Sequence, residues 1–320
     1  MRRPHFIEWK EGTGLNIVDL HCDALMKMFQ NRSISFIDSR QLDVNETLLR
    51  TANSKLQFFA VYIPEDIHPS LRFEAALSMV SLFYEKIIAL PHFKLITNKR
   101  DYDHLEVGEI GAVLSLEGCD CIQGDWTKLQ TLVKLGVSAV GLTWNYANEF
   151  ADGALEPRNA GLSIKGRLLV QWIKERQLLL DVSHLSEAGF WDCLQIGGRI
   201  FASHSNCKKI CNHPRNLSDA QISALLKRKA LIGITFVPFF LTIKKEATTL
   251  DIIKHIDHIF SLGGTQNVAF GSDFDGIKQY VKGLQSYGDY PYLIEILLKH
   301  FSYEQVKGVV YQNFERQLLL

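Results

Sequence analysis

Metal-binding residue types stand side by side in the segment VDLHCDAL (18–25), where an apolar run ends in His21, Cys22 and Asp23. Other ionisable side chains also directly follow apolar runs, namely Glu117, His184, His204 and Asp273. Burying this many such groups together without a cation would be very costly. If the fold brings them to one place, the pattern therefore predicts a bound metal.

The ligand types indicate which metal and which chemistry. Imidazole and carboxylate groups without thiolate suit Zn, Mn, Fe or Co better than Ca or Mg. Three histidines and two carboxylates are more ligands than one tetrahedral catalytic zinc with an open position accepts. They fit two metal ions that share a bridging carboxylate, an arrangement that activates water for hydrolysis.

The cysteines are not expected to bind this metal. Side chains alternate faces along a strand, so His21 and Asp23 point one way and Cys22 points the other, into packing. Cys119-x-Cys121 and Cys207-x3-Cys211 lack the paired spacing of a structural zinc site. We expect all six cysteines to be free thiols.

The elements that must position these residues recur as a strand followed by a helix. Several apolar runs are continuous, as in strands of a parallel sheet that are buried on both faces. The eight runs are NIVDL (16–20), LQFFAVYI (56–63), GAVLSL (111–116), SAVGLT (138–143), LLLDVS (178–183), RIFAS (199–203), LIGITF (231–236) and NVAFGS (267–272). A further run, FKLIT (93–97), is expected to be irregular or peripheral. Helical patterns lie between the runs, most clearly over 69–90.

Eight strands that alternate with helices predict a (β/α)8 barrel. The alternative is an open, doubly wound sheet, but no Gly-rich phosphate loop follows the first strand. In an α/β barrel the active site lies at the C-terminal ends of the strands. The ionisable residues that follow the runs should therefore meet at one rim of the barrel.

Composition limits which classes of function the chain is expected to have. The chain has 320 residues, and its 35 basic and 35 acidic side chains give a net charge of zero, which does not favour binding to nucleic acid or to an anionic membrane. The N-terminus lacks the apolar stretch of a secretory signal, and no apolar run is long enough to span a membrane. We expect a cytoplasmic protein with a single catalytic barrel domain over 1–320, in which 1–14 form an extension of unknown role.

An ordered set of motifs gives the chain a resemblance to a known family. The motifs are VDLHCD (18–23), LSLEG (114–118), LDVSHLS (180–186), ASHSN (202–206), HPRNLSD (213–219) and GSDFDG (271–276). Together they resemble the membrane (renal) dipeptidase family of zinc metallopeptidases, in its soluble bacterial branch, from about residue 15 to the C-terminus. The resemblance implies a barrel of the metal-dependent hydrolase type with two bound Zn²⁺; other divalent transition metals remain an alternative.

The resemblance also implies ligand roles, position by position. His21 and Asp23 would bind one metal ion. His184 and His204 would bind the other, and Glu117 would bridge the two.

Further positions match the family's catalytic and substrate-binding residues. Asp273 matches the acid/base carboxylate, and Arg215 matches the arginine that holds the substrate's terminal carboxylate. For Asp219 and Asp275 we expect capping of a helix or turn instead.

One position departs from the family pattern. Family members such as the mammalian enzymes carry a His after "LT" at the end of the fourth strand, where it contacts the substrate and the developing oxyanion. Trp144 stands there in this chain. Indole donates one N–H and carries no positive charge, so Asn145, Tyr146 or Asn148 is expected to replace the lost donor. Trp144 and Asn145 are thus expected to contact the substrate.

The expected function is a zinc-dependent dipeptidase that uses a metal-bridging hydroxide to cleave the peptide bond of a dipeptide. One alternative is an amidohydrolase that deacylates N-acyl amino acids at the same binuclear site. An alternative of another class is an inactive metal-binding scaffold. The expected partner is a small dipeptide substrate; neither nucleic acid nor membrane is expected, and the resemblance leaves a homodimer open.

Overall fold

The computed structural model of the protein describes residues 14–317, and all paired strands run parallel. The strands are β1 Ile17–Asp19, β2 Ser54–Tyr62, β3 Phe93–Leu95, β4 Ile110–Glu117, β5 Val137–Gly141, β6 Leu179–Asp181, β7 Arg199–Phe201, β8 Ile232–Ile234 and β9 Val268–Phe270. Each of the eight predicted runs contains or overlaps one strand. Of the predicted N-terminal extension, 1–13 lie outside the described residues.

The sheet closes almost completely into a barrel. Its order is β7-β6-β5-β4-β2-β1-β9-β8, and a parallel bridge between Ala202 and Ile232 links its two ends. The peripheral strand β3 pairs only with the beginning of β4, where Phe93 lies opposite Ile110. The (β/α)8 prediction is confirmed. The alternative of an open, doubly wound sheet is wrong, because the bridge between the two ends of the sheet leaves no open edge at β7 and β8.

Helices and loops surround the barrel. The helices are α1 Ala24–Gln30, α2 Glu46–Thr51, α3 Arg72–Leu82, α4 Lys99–Asp103, α5 Trp126–Lys134, α6 Ile164–Glu175, α7 Glu187–Ile196, α8 Asp219–Lys227, α9 Pro238–Leu241, α10 Thr249–Ser261, α11 Tyr290–Leu297, α12 Tyr303–Lys307 and α13 Asn313–Gln317. A π-helical turn extends α3 to Ile88, which accounts for the predicted helix over 69–90. The cap of α8 is Ser218 rather than Asp219, because the Ser218 hydroxyl accepts the Gln221 N–H.

Apolar side chains fill both faces of the sheet. Along β2, Leu56 and Phe58 point into the barrel, while Phe59 and Val61 pack toward the helices. This division follows from the two-residue period of a strand. The barrel interior is closed by a cluster of Val18, Leu20, Leu56, Phe58, Ile96, Tyr102, Val113, Ala139, Leu179, Phe201, Leu231, Ala269 and Phe314. The barrel is thus a packed core, and chemistry is left to the rim.

Candidate metal centre

The predicted ligands converge at the C-terminal ends of the strands. Glu117 is the last residue of β4, and the other residues lie two to four positions beyond the ends of β1, β6, β7 and β9. We call the group formed by His21, Asp23, Glu117, His184, His204 and Asp273 the rim cluster. All of its members except Asp273 are buried. Residues from five strands thus meet as the sequence predicts.

Glu117 lies at the centre of the rim cluster. Its Oε1 is 2.8 Å from His184 Nε2 and 3.6 Å from His204 Nε2. Its Oε2 is 3.5 Å from His21 Nε2. One carboxylate therefore faces imidazoles on both sides, as a bridging ligand would.

A second group of ligand atoms surrounds His21. The Nε2 atom of His21 lies 3.6 Å from Asp23 Oδ2 and 3.7 Å from Asp273 Oδ1. These three residues could hold one ion, and His21, Glu117 and His204 form another such group. Within residues 14–317, the buried atoms His21 Nε2 and Asp23 Oδ1 have no hydrogen-bond partner. Buried polar atoms without partners are rare unless a ligand satisfies them.

The contacts on the other side of Glu117 also fit a metal. His184 Nε2 lies 2.8 Å from His204 Nε2 and equally close to Glu117 Oε1. A neutral imidazole nitrogen either donates or accepts a hydrogen bond. One proton on His184 Nε2 therefore cannot satisfy the lone pairs of both His204 Nε2 and Glu117 Oε1. Nitrogen and carboxylate donors without sulfur fit zinc and related ions. The residues present therefore fit the predicted metal.

The charges at the centre are unevenly distributed. Burial alone would raise the pKa of Glu117, but the His21 and His184 imidazoles lower it below its usual range. Burial alone would lower the pKa of His21, but Glu117 and Asp23 raise it well above its usual value. The carboxylates around His21 thus favour positive charge at this position, which a bound metal ion would supply.

The histidines on the other side are held neutral. Burial and the nearby Arg215 guanidinium lower the pKa of His184 to about 4. Burial, together with His21 and His184, lowers the pKa of His204 well below its usual value. Neutral imidazole is the form that binds metals. By contrast, partial burial raises the pKa of the Asp273 carboxyl well above its usual range.

Backbone geometry sets the place of Asp273. Its φ of 65° lies in the left-handed region, so the chain turns sharply after β9. A Cβ on Gly276 would lie 2.2 Å from Asp23 Oδ2 and 2.8 Å from Asp273 Oδ1, so only glycine lets the two carboxylates lie this close to the loop. Asp275 accepts the backbone N–H groups of Asp43 and Val44, in the loop before α2, whose N-cap is Asn45, so it fixes a distant loop and does not cap that helix. The need for Gly276 was missed, although the motif GSDFDG contains it.

A hydrogen-bonded chain that the sequence did not reveal supports His204. The Ser203 hydroxyl lies 2.7 Å from His204 Nδ1 and donates to the carboxylate of Asp181. Because that hydroxyl has already given its proton to Asp181, it accepts the proton of Nδ1, and the lone pair of Nε2 faces the rim cluster. Ser203 stands next to a predicted ligand in ASHSN, which was the only available signal.

Arg215 lies against the rim cluster. It is only 3% exposed. Its guanidinium donates to the backbone oxygen atoms of Ser183 and His204, and Nη2 lies 3.1 Å from His184 Nε2. Its Nε has no partner among the described residues. Arg215 also lines a cavity, where an anion would find this N–H unpaired.

The residue that departs from the family pattern lines a cleft. Trp144 stacks on His184, with ring centroids 6.1 Å apart, and lies 5.1 Å from Tyr62. The cleft is lined by Glu117, Tyr62, Trp144, Tyr146 and other side chains. A separate cavity is lined by Arg215, Ser183 and neighbouring residues.

The two predicted replacement amides differ in their surroundings. Asn145 Oδ1 lies 3.0 Å from His184 Nδ1, behind the rim cluster. Asn148 is engaged elsewhere, since it donates to the Leu142 carbonyl and to the Asp120 carboxylate and accepts the Phe150 N–H. Cys22 is completely buried in the layer between strands and helices, as the strand alternation predicts.

A family model covers almost the whole chain. The model described as membrane dipeptidase (peptidase family M19) matches residues 13–318. Among curated proteins, "Dipeptidase aclJ" of Aspergillus oryzae is 29% identical over 302 residues, which cover 89% of this chain and 72% of that protein. "Dipeptidase 3" of Mus musculus is 24% identical over 313 residues, which cover 94% of this chain and 63% of that protein.

Solved structures share the fold. A metallo peptidase from Rhodobacter sphaeroides, liganded with a phosphinate mimic of the dipeptide L-Ala-D-Ala, matches with a TM-score of 0.89 at 22% identity, over 95% of this chain and 99% of that one. An amidohydrolase from Pseudomonas aeruginosa matches with a TM-score of 0.80 at 20% identity, over 95% of both chains. Within residues 14–317, none of the helices has the length and apolar character that a membrane span requires.

Proposed function

Since the chain belongs to the membrane dipeptidase family of metallopeptidases, peptidase family M19, we propose that it hydrolyses the peptide bond of dipeptides with two bound zinc ions. The observation that carries the proposal is the position of Glu117 between His21 on one side and His184 and His204 on the other. His21 and Asp23 would hold the first ion, His184 and His204 would hold the second, and Glu117 would be shared by both. We take residues 1–320 as one catalytic domain.

Each remaining residue has a separate task in this proposal. The zinc ions, when bound, lower the pKa of water and polarise the scissile carbonyl. Asp273, beside His21, accepts the proton of the attacking water at its carboxylate and delivers it to the leaving amine. Arg215 binds the C-terminal carboxylate of the substrate through its remaining N–H groups. Trp144 and Tyr62 enclose the substrate on one side.

A substrate panel tests this function. The zinc-loaded protein, with its metal content measured on the same sample, is offered L,L- and L,D-dipeptides, tripeptides and N-acyl amino acids. We expect dipeptides to be cleaved fastest, with the activity disappearing after chelation and returning with zinc. Activity that survives complete metal removal would exclude the mechanism, and a fully loaded protein that cleaves nothing would indicate a scaffold.

The aromatic wall of the cleft favours a second candidate function. Trp144 next to Tyr62 offers an apolar surface where the family carries a polar imidazole. Such a surface suits the acyl chain of an N-acyl amino acid, whose carboxylate could still bind Arg215. A higher kcat/KM for N-acyl amino acids than for dipeptides in the same panel would favour deacylation.

The role of Arg215 predicts a preference for a free carboxylate. Replacing the C-terminal carboxylate of a dipeptide with an amide should lower kcat/KM about 10–100-fold, because hydrogen bonds between charged groups contribute about 1.5–3 kcal/mol. In Arg215→Met this preference should largely vanish. The measurement is the acid-to-amide ratio of kcat/KM for both proteins.

The ratio separates a substrate contact from general damage to the site. Arg215→Met also removes the contact to His184, which would slow both substrates alike and leave the ratio unchanged. Arg100→Met, the same change on an exposed residue of α4, is the matched control and should behave as wild type. A wild-type ratio in Arg215→Met would show that the carboxylate binds elsewhere.

A further inference from the structure

The two histidines proposed to bind the second ion are anchored differently. His204 Nδ1 faces Ser203, which hydrogen-bonds to the charged side chain of Asp181. His184 Nδ1 faces the neutral amide oxygen of Asn145, 3.0 Å away. No other hydrogen bond to His184 Nδ1 is present in the described part of the chain.

The proton of His184 can be placed from its neighbours. A metal ion bound at His184 Nε2 would require a lone pair on that nitrogen, and the Arg215 Nη2 donor 3.1 Å away also calls for an acceptor there. The proton of the neutral ring is then on Nδ1, where it is donated to Asn145 Oδ1. Two lone pairs 2.8 Å apart, on Nε2 and on Glu117 Oε1, would repel each other, so this tautomer fits a cation that both atoms bind. Asn145 thus holds both the tautomer and the orientation that a metal ligand needs.

The other neighbours of His184 do not replace this anchor. Trp144 contacts the face of the ring, with a centroid separation of 6.1 Å. The Arg215 guanidinium contacts the ligand nitrogen itself and brings a positive charge, which opposes a cation there. Of these contacts, only the hydrogen bond to Asn145 holds the proton on Nδ1, so its loss would remove the preference for the tautomer that presents the Nε2 lone pair to the rim cluster.

The first ion should not depend on this anchor. Its proposed ligands lie around His21, with Asp23 Oδ2 at 3.6 Å and Asp273 Oδ1 at 3.7 Å from Nε2. Several carboxylates surround the position of the first ion. The position of the second ion is surrounded by two neutral imidazoles, by Glu117, which it shares with the first, and by the Arg215 guanidinium. The first position therefore attracts a cation more strongly.

We propose that Asn145 is a positioning residue that orients His184 and so controls the binding of the second metal ion but not the first. The inference rests on the proposed two-ion function. It gives Asn145 a task different from the substrate contact expected from the sequence. It also implies that the ions load in sequence, with the His21 side filled first.

The test is a metal titration of the full-length, metal-stripped protein with Zn²⁺ against a competing chelator, repeated with Co²⁺ to follow its absorption. In Asn145→Leu we expect a wild-type affinity for the first ion and an affinity for the second that is about 10–100-fold weaker, the usual cost of losing such a hydrogen bond. Asn145→Asp keeps the acceptor and should bind the second ion at least as well as wild type. Asn31→Ala, an exposed asparagine after α1, is the control and should match wild type.

Several outcomes would overturn the inference. In Asn145→Leu, unchanged affinities for both ions or an equal loss of affinity for both would contradict it. An Asn145→Asp protein that binds the second ion as weakly as Asn145→Leu would also do so, as would a wild-type protein that binds fewer than two ions. Thermal unfolding of the metal-free variants checks that each is folded. Hydrolysis is assayed on the same wild-type sample: a protein that binds two ions in this sequence but cleaves no member of the substrate panel would refute the proposed function and leave the role of Asn145 intact.

Discussion

Asp273→Asn should lower kcat for dipeptide hydrolysis by about 10²–10⁴, the usual contribution of a general acid–base group. The carboxyl lies at the rim cluster, with Oδ1 3.7 Å from His21 Nε2, and its side chain is 17% exposed, so water and substrate can reach it. An amide of the same shape cannot accept and return a proton. Because the other ligands are unchanged, both zinc ions should remain bound. The measurement is kcat together with zinc content on one sample.

The zinc content decides between two explanations of such a loss. Asp273 also belongs to a group of residues that could hold an ion directly with His21 and Asp23. A variant that loses turnover and also one zinc ion would identify Asp273 as a ligand, whereas unchanged turnover would refute its catalytic role. Asp219→Asn, the same change on α8 away from the rim cluster, should retain full activity.

Glu117→Gln should reduce the bound zinc from two ions to one or fewer and bring dipeptide hydrolysis to background. Among the described carboxylates, Glu117 alone has oxygen atoms within 4 Å of all three imidazoles of the rim cluster. The amide keeps the shape but removes the charge that the two proposed ions would share, so their mutual repulsion would no longer be offset. Metal analysis and the substrate panel on the same sample measure the two effects.

A control variant and an experiment with excess zinc show how the result for Glu117→Gln is to be understood. Glu175→Gln, on the exposed face of α6, should bind two ions and turn over as wild type. Excess zinc should restore little activity to Glu117→Gln, since the bridging position itself is lost. Two tightly bound ions in Glu117→Gln would mean that Glu117 does not bridge them.

Much of the fold and of the rim cluster could be predicted, because both depend on local patterns in the sequence. Apolar runs with intervening amphipathic segments predict the eight strands and the helices between them, and parallel strands in a barrel bring their C-terminal ends to one rim. His21, Glu117, His184 and His204 were therefore expected at one place without any knowledge of long-range contacts. Their residue types also indicate the class of metal.

Other features depend on contacts between distant segments and were decided only by the tertiary structure. The hydrogen bond from His184 to Asn145 joins loops that are 39 residues apart, so no short pattern contains it. Likewise, the closeness of Asp23 to Asp273 depends on how the loop after β9 lies over β1, where Gly276 leaves room. The amino-acid sequence by itself determined which residues reach the rim, because strand period and strand ends are local properties. Their orientation, proton positions and partners were left to the packing of loops against one another, because these contacts exist only once the barrel has closed.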